Sequence, residues 1–339
     1  KNLNFVYTIR SGDLVWGEPG QGYWSNQVNV KTHHMYLKWK CPFTAMDAKV
    51  GLQAWYDHKS LVLDDDIAAI MLTKNDIMPN MNLQLGYLSF NESVNGLNSR
   101  DSDGFLINLD HKLNDDMAWG LNTIIKRDKT VADDALLDLW FMPFFTFGMD
   151  ALSADAMFAL NYGSYAKQAP GGKDVSNMGM ALALDASYDM KEMGVPGINF
   201  LYASGDDGTD PESTTQFNTI SNYYMNGLEY FGTGAHDGVN GGWFDANNGG
   251  KGLMSVVFKY SYPVNEKLEA KFAAGMLNSI EESSNGETAM GTEIDLGMNY
   301  KMFEKYTVKL VGAFVMPGEY FGPDPDSVYE LSSVLSVEF

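Results

Sequence analysis

The sequence predicts an all-β protein, a transmembrane antiparallel up-and-down β-barrel of about sixteen strands that spans residues 1–339 as a single domain. Two observations carry this prediction. Apolar and polar residues alternate with a period of two through many short segments, as they do in strands with one apolar and one polar face. Short links between these segments also alternate with long ones, including a link over 205–251, as in barrels that cross a membrane.

The alternation defines sixteen candidate strands along the chain. In the clearest, 177–190, even-numbered residues such as Met178 are mostly large and apolar, whereas odd-numbered residues such as Asp185 are small or acidic. The segment 67–74 is faint, and 135–147 contains a proline and apolar residues on both faces, so fourteen or eighteen strands are alternatives. The candidates lie near 2–10, 34–40, 47–57, 67–74, 80–90, 104–113, 117–127, 135–147, 156–167, 177–190, 196–204, 252–264, 267–278, 291–302, 305–316 and 327–339.

Composition narrows the class of protein. No uninterrupted apolar run approaches the roughly eighteen residues of a membrane helix, which excludes a helical membrane protein. The formal net charge of −21 argues against nucleic acid as a partner, because its binding requires basic patches. Cys41 is the only cysteine, so an intramolecular disulfide and a cysteine-based zinc cluster are excluded. Composition alone favours a soluble protein, but with sixteen strands every long link falls on one side, which favours the barrel.

Ionisable residues fall on the polar face of the predicted strands, with basic and acidic side chains in nearly equal number. Charges repeated so regularly along one face require water, which excludes a dry core. The sequence therefore predicts a hydrophilic channel, and the alternative is the solvated outer face of a soluble sandwich. The predicted pore-lining residues are Arg10, Lys38, Lys40, Lys49, Lys126, Asp185, Asp189, Lys267, Lys271, Glu293, Asp295 and Lys301.

Excess negative charge falls in the long link, where 205–250 contains no lysine or arginine. An acidic mouth above a balanced lumen would concentrate cations at the entrance. Within this link, four carboxylates share one glycine-containing turn, and such hard oxygen ligands suit Ca²⁺, although a solvated acidic turn fits the same residues. The candidate calcium ligands are Asp206, Asp207, Asp210 and Glu212.

The histidines give little support to catalysis or to a transition-metal site. Adjacent His33 and His34 are expected to point to opposite faces of a strand and so not to form a metal pair. An outer-membrane hydrolase stays open as an alternative, because His34 in the lumen would be able to partner a serine or an aspartate. No catalytic residue is predicted.

The last segment, Ser327 to Phe339, alternates apolar residues with Glu330, Ser332, Ser336 and Glu338 and ends in an aromatic residue. It resembles the C-terminal signal of bacterial outer-membrane proteins, and the whole-chain pattern resembles that of their porins. The resemblance implies a place in the outer membrane, contact with its lipid and lipopolysaccharide, and insertion by the barrel-assembly machinery through the strand that ends at Phe339. It leaves a homotrimer and a monomer open.

Three shorter features resemble the alginate-export family: the acidic loop 205–212, the alternating strand 291–297, and the turn at Pro317 and Gly318. That resemblance implies a barrel of somewhat more strands that either exports alginate or acts as a substrate-selective porin. Export of a polyanion requires a strongly basic pore, whereas the predicted lumen is balanced. The expected function is passive diffusion of small hydrophilic solutes and ions, and anionic-polysaccharide export is the alternative.

Overall fold

The computed structural model describes residues 3–11, 30–91, 101–129, 136–167, 174–232 and 245–337. These residues form one sheet of seventeen strands, of which sixteen are long and one has two residues. In this part of the chain no helix is long and apolar enough to cross a membrane. The strands are β1 (Leu3–Ser11), β2 (Val30–Lys40), β3 (Asp47–Tyr56), β4 (Asp64–Met78), β5 (Met81–Asn91), β6 (Ser102–Lys112), β7 (Met117–Asp128), β8 (Leu136–Met149), β9 (Leu152–Lys167), β10 (Asp174–Tyr188), β11 (Val195–Ala203), β12 (Ser213–Thr214), β13 (Leu253–Pro263), β14 (Leu268–Ser279), β15 (Ala289–Phe303), β16 (Tyr306–Pro317) and β17 (Val328–Val337).

Sixteen strands pair antiparallel with their neighbours in chain order, which confirms the predicted up-and-down arrangement. The short β12 stands outside this order, since it runs parallel to β10 while β11 pairs directly with β13. Closure of the barrel between β1 and β17 stays a prediction.

The two faces of each strand differ as the alternation predicts. In β10, Met178 is 56% exposed on the outer face, whereas Ala181 and Ala183 are fully buried on the inner face. In β15, Leu296 is 65% exposed, whereas Asp295 is 4% exposed. Large apolar side chains thus cover the outside of the sheet and small or acidic ones line the inside, which is the distribution expected when lipid surrounds the protein.

Two predicted strands, 177–190 and 267–278, extend beyond the observed strands β10 and β14 into short turns. The β10 strand ends at Tyr188, and the Asp189 carboxylate accepts a hydrogen bond from the Lys191 N–H in the following turn. The Lys267 N–H bonds to the Asn265 side chain in the turn before β14. In both cases a side chain in the turn accepts a backbone hydrogen bond that a neighbouring strand would accept in a ladder. Both residues therefore belong to short links.

The doubtful segment 135–147 is a full strand, β8, despite its proline. Its register with β7 includes the pair Leu121 and Pro143, whereas its register with β9 passes from Phe141 to Phe144. Proline lacks an N–H, so a ladder can accept it only where that donor is not needed. The interrupted β8–β9 register accommodates Pro143 in this way.

The hydrophobic core lies inside the sheet, between its inner face and two links that fold into the barrel. Leu61, Val62 and Leu63 of the β3–β4 link are buried there, as are Phe217 and Leu228 of the long link. Both links belong to the set of long links, so they enter from one end of the barrel.

Candidate functional site

The β3–β4 link (57–63, called here the first inner loop) is shaped by one buried carboxylate. Asp57 is fully buried and accepts hydrogen bonds from the backbone N–H groups of Lys59 (3.1 Å), Leu61 (3.0 Å), Val62 (2.7 Å) and Leu63 (2.8 Å). Four donors that would otherwise be unsatisfied inside the barrel therefore share one acceptor group. This arrangement allows the loop to lie inside the barrel without a strand partner for each residue.

At its tip, the first inner loop places charge against the opposite wall. The Lys59 ammonium lies 3.0 Å from the Asp155 carboxylate of β9 and 2.9 Å from that of Asp185 in β10. Lys259 of β13 lies 3.3 Å from Asp185. His58 contacts Asp155 at 2.7 Å. Two lysines, two aspartates and a histidine thus form one network that links the loop to the wall of the barrel.

The segment 216–232 of the long link, called here the second inner loop, is held by the carboxylates of β15. Glu293 accepts from the backbone N–H groups of Tyr230 at 2.6 Å and Phe231 at 2.7 Å, and Asp295 accepts from the Glu229 N–H at 3.0 Å. Carboxylates that accept backbone N–H donors form strong, charge-assisted hydrogen bonds. Glu293 and Asp295 are buried because the loop covers them.

Backbone hydrogen bonds join the two inner loops to each other. The Ile220 N–H donates to the Val62 carbonyl and the Tyr223 N–H to the Ser60 carbonyl, both at 2.8 Å. Next to the first inner loop, the N–H of Asp64, the first residue of β4, donates to the Ser221 carbonyl at 2.7 Å. The loops therefore act as one body that narrows the lumen.

The long link also lies directly against the barrel wall at a glycine of β10. A side-chain carbon at Gly179 would collide with the backbone of Gln216 and Phe217. The close approach requires the absence of a Cβ atom at this position. Two strands away, on β8, the Trp140 indole N–H donates to the Asn218 carbonyl at 2.8 Å.

An open cavity of about 480 Å³ lies next to the second inner loop, toward the short turns. Its lining is mainly apolar but carries charges of both signs, and two of its carboxylates, those of Asp155 and Asp185, contact Lys59. The ionisable residues that line this cavity are Asp155, Asp185, Lys259, Lys271, Asp295 and Lys309.

The predicted pore-lining residues separate into groups with different surroundings. Asp185 belongs to the loop-tip network, and Glu293 and Asp295 hold the second inner loop. Lys271 lies in the cavity, 3.7 Å from Glu269. The remaining members are Arg10 on β1, Lys38 and Lys40 on β2, Lys49 on β3, Lys126 on β7 beside Asp128, Lys301 on β15, and the turn residues Asp189 and Lys267.

Two residues central to the loop-tip network, Lys59 and Asp155, are absent from the predicted pore lining. Lys59 lies in a link that sequence reasoning leaves in solvent. One signal was available, because Leu61, Val62 and Leu63 form an apolar run that a solvated link would leave exposed. The role of each residue in solute passage stays a prediction.

The carboxylates of the acidic turn accept hydrogen bonds within the turn. Asp206 accepts from the Gly208 N–H at 2.8 Å, Asp207 from the Thr209 N–H at 2.9 Å, and Asp210 from the Ser213 hydroxyl at 2.6 Å. Hydrogen bonds from Thr209 hold the pKa of Asp207 below its usual value, and those from Ser213 and Glu212 do the same for the pKa of Asp210. The turn is therefore strongly anionic, and Ca²⁺ binding by Asp206, Asp207, Asp210 and Glu212 stays a prediction.

The prediction that His33 and His34 diverge is wrong. The register of β1 with β2 shifts between Thr8 and Ile9, so β2 carries one extra residue there. The two imidazole rings stack, with centroids 3.9 Å apart, and both contact the Asp66 carboxylate. Strict alternation fails at this point because a β-bulge interrupts the period of two.

Comparison with known proteins identifies the fold. No protein-family model and no curated protein matches the sequence. Known structures do match: OccAB1 of Acinetobacter baumannii has a TM-score of 0.59 and 12% identity, over 94% of this chain and 78% of its own. OccK5 (OpdH) of Pseudomonas aeruginosa has a TM-score of 0.56 and 15% identity, over 92% of this chain and 83% of its own. The outer membrane protein OprD of the same organism has a TM-score of 0.55 and 13% identity, over 91% and 78%.

These neighbours support the porin resemblance and give no support to the alginate-export family. Their low sequence identity limits the similarity to the fold. The chain therefore has the β-barrel fold of bacterial outer-membrane porins.

Proposed function

We propose that this protein is an outer-membrane porin that forms a water-filled channel for passive diffusion of small hydrophilic solutes and ions. The observation that carries the proposal is the charged, loop-narrowed interior, where Lys59 meets Asp155 and Asp185 beside an open cavity that carries charges of both signs. Charged groups of both signs around a narrow passage suit small hydrated solutes, because each sign can replace part of a solute's hydration. Lipid and lipopolysaccharide would contact the apolar outer face.

Assembly in the membrane forms part of the same proposal. Insertion would use the barrel-assembly machinery, which would read the last strand and Phe339, although residues 338–339 lie outside the described part of the chain. A homotrimer and a monomer are both compatible with this proposal, and gel filtration with light scattering in detergent would separate the two.

Reconstitution into planar bilayers tests the channel directly. We expect discrete conductance steps and a modest preference for monovalent cations at low salt, because the acidic turn lies in a long link at the mouth. The preference should fade as the Debye length falls from about 30 Å at 0.01 M to about 3 Å at 1 M. Absence of conductance from protein whose gel mobility changes on boiling would contradict the proposal.

A matched pair of charge variants tests which carboxylates set the preference. One variant neutralises Asp206, Asp207, Asp210 and Glu212, and we expect it to weaken cation preference. The control neutralises four acidic residues of the short turns, which changes the net charge equally at the opposite end: Asp115, Asp116, Glu266 and Glu304. Strong anion selectivity that neither variant alters would favour the alternative, export of an anionic polysaccharide.

The hydrolase alternative makes a different prediction. His34 does contact the Asp66 carboxylate, but the other side chain that contacts this carboxylate is a second imidazole, that of His33. A His34→Ala variant should keep its conductance if the protein is a channel. Hydrolysis of lipid or peptide that this substitution abolishes, without conductance in the parent protein, would support the enzyme.

A further inference from the structure

Two imidazoles and one carboxylate converge near the ends of β2 and β4 that adjoin the long links. His33 is the extra residue of the β2 bulge, since Thr8 pairs with His34 and Ile9 with Thr32. The bulge turns the His33 ring to the side occupied by His34, and the rings stack at an interplanar angle of 25°. A regular strand would have separated these side chains.

The carboxylate of the cluster comes from β4, which is separated from β2 by β3. Asp66 of β4 lies opposite Ala54 of β3, whose single methyl group leaves room above the sheet. The His33 Nδ1 atom lies 2.6 Å from Asp66 Oδ2, and the His34 Nε2 atom lies 2.9 Å from Asp66 Oδ1. Side chains from β2 and β4 therefore meet across β3 in one small polar cluster.

The donor atoms have the chemistry of a metal site. One nitrogen from each imidazole and one carboxylate oxygen all lie within 4.8 Å of one another. Two nitrogen donors disfavour Ca²⁺ and Mg²⁺, which take oxygen ligands, and favour Zn²⁺, Ni²⁺ or Cu²⁺. The three side chains are between 23% and 33% exposed, so an ion can reach them and water can complete its coordination.

We propose that His33, His34 and Asp66 form a binding site for a divalent transition-metal ion, with Zn²⁺ as the ion that suits two imidazoles, one carboxylate and a water. The bound ion would connect β2 to β4 across β3. Asp66 lies three residues beyond Leu63, which ends the first inner loop, so the ion would hold the strand that follows that loop. The proposal does not depend on the channel function, because its test measures metal binding and not conductance.

The test uses the full chain without a histidine tag, folded in detergent and stripped with a chelator. Zn²⁺ is titrated against a chromophoric competitor, and Co²⁺ is added separately, because its visible spectrum reports the number and geometry of its ligands. The variants are His33→Ala, His34→Ala and Asp66→Asn. His58→Ala is the matched control, since His58 also contacts one carboxylate, Asp155 at 2.7 Å, but lacks a second imidazole partner in the described contacts.

We expect one Zn²⁺ ion per chain, a Co²⁺ spectrum of low coordination number, and an affinity loss of at least about tenfold in each of the three variants. His58→Ala should bind as the parent does. Bound Zn²⁺ should also raise the temperature at which gel mobility changes, because an ion that binds only the folded state stabilises it. Asp66→Asn preserves side-chain size, so it tests the ligand even if an alanine variant folds poorly.

Equal Zn²⁺ affinity in the parent and in a folded His33→Ala/His34→Ala double variant would overturn the proposal. A parent protein that binds Zn²⁺ only at millimolar concentration would overturn it too, and would leave the cluster as hydrogen bonds between imidazoles and a carboxylate.

Discussion

Replacement of Glu293 by glutamine should release the second inner loop from the barrel wall. In the native protein the two carboxylate oxygens of Glu293 accept the N–H groups of Tyr230 and Phe231 at 2.6 and 2.7 Å. Glutamine keeps one acceptor oxygen and presents an NH₂ group to the second donor. One charge-assisted hydrogen bond is therefore lost, and the other becomes a neutral one.

The structure sets the size of this effect. Hydrogen bonds to charged groups contribute about 1.5–3 kcal/mol, and neutral ones about 0.5–1.5 kcal/mol. The substitution should destabilise the docked loop by about 2–4 kcal/mol, which changes its ratio of docked to released states by roughly 30- to 900-fold. Asp295 still holds the Glu229 N–H at 3.0 Å, so release should be transient rather than permanent.

Single-channel recording measures the outcome. Glu293→Gln should show frequent openings of larger amplitude that are rare in the parent. Glu269→Gln is the matched control, because Glu269 lies on the neighbouring strand and contacts Ser261, Lys271 and Asn299 but not the loop. Identical traces from both variants and the parent would refute the reasoning, either because the loop is held by other contacts or because it lies outside the path of ions.

Three further predictions follow from the same contacts. Each Asp57 carboxylate oxygen accepts two backbone N–H groups, so Asp57→Asn leaves two of the four donors unsatisfied, at about 1–3 kcal/mol each. The first inner loop should therefore be cut faster by added protease than in the parent, and an unchanged rate would contradict this. The pKa values of Asp207 and Asp210 lie below the usual range. Cation preference at low salt should therefore persist while the pH falls through about 4, where free aspartate titrates. A reversal potential that already falls to zero above that pH would contradict this prediction. Gly179→Val should push Gln216 off the wall and raise conductance, whereas a parent-like conductance would show that the loop can shift at no functional cost.

The strands could be predicted because the alternation of side chains is a local property of the sequence. The segment around Met178 has large apolar residues on one face and small residues on the other, and β10 places them outside and inside as expected. Strand ends were less predictable. Asp189 and Lys267 continue the polar pattern, but their hydrogen bonds with Lys191 and Asn265 place them in turns.

The site could be predicted only in part, because it depends on contacts between residues far apart in the chain. Asp185, Glu293 and Asp295 were identified from their inward face, yet their partners are Lys59 and the backbone of 229–231. The path of a link through the barrel follows from tertiary packing, which a period of two does not describe. The bulge at His33 is a similar case, since one extra residue changes which side chains meet.

Net charge alone does not determine which ions such a barrel passes, because the charges occupy different depths. The excess of acidic residues is strongest in the exposed turn that holds Asp207 and Asp210, whereas at the loop tip Lys59 and Lys259 balance Asp155 and Asp185. Further toward the short turns, Lys38 and Lys49 lie directly opposite each other in the β2–β3 register. Like charges in register repel each other, and a passing anion would reduce that repulsion. We therefore expect a cation to be attracted at the mouth and an anion beyond the loops, so the preference for either sign should be modest and should depend on the side from which salt is diluted.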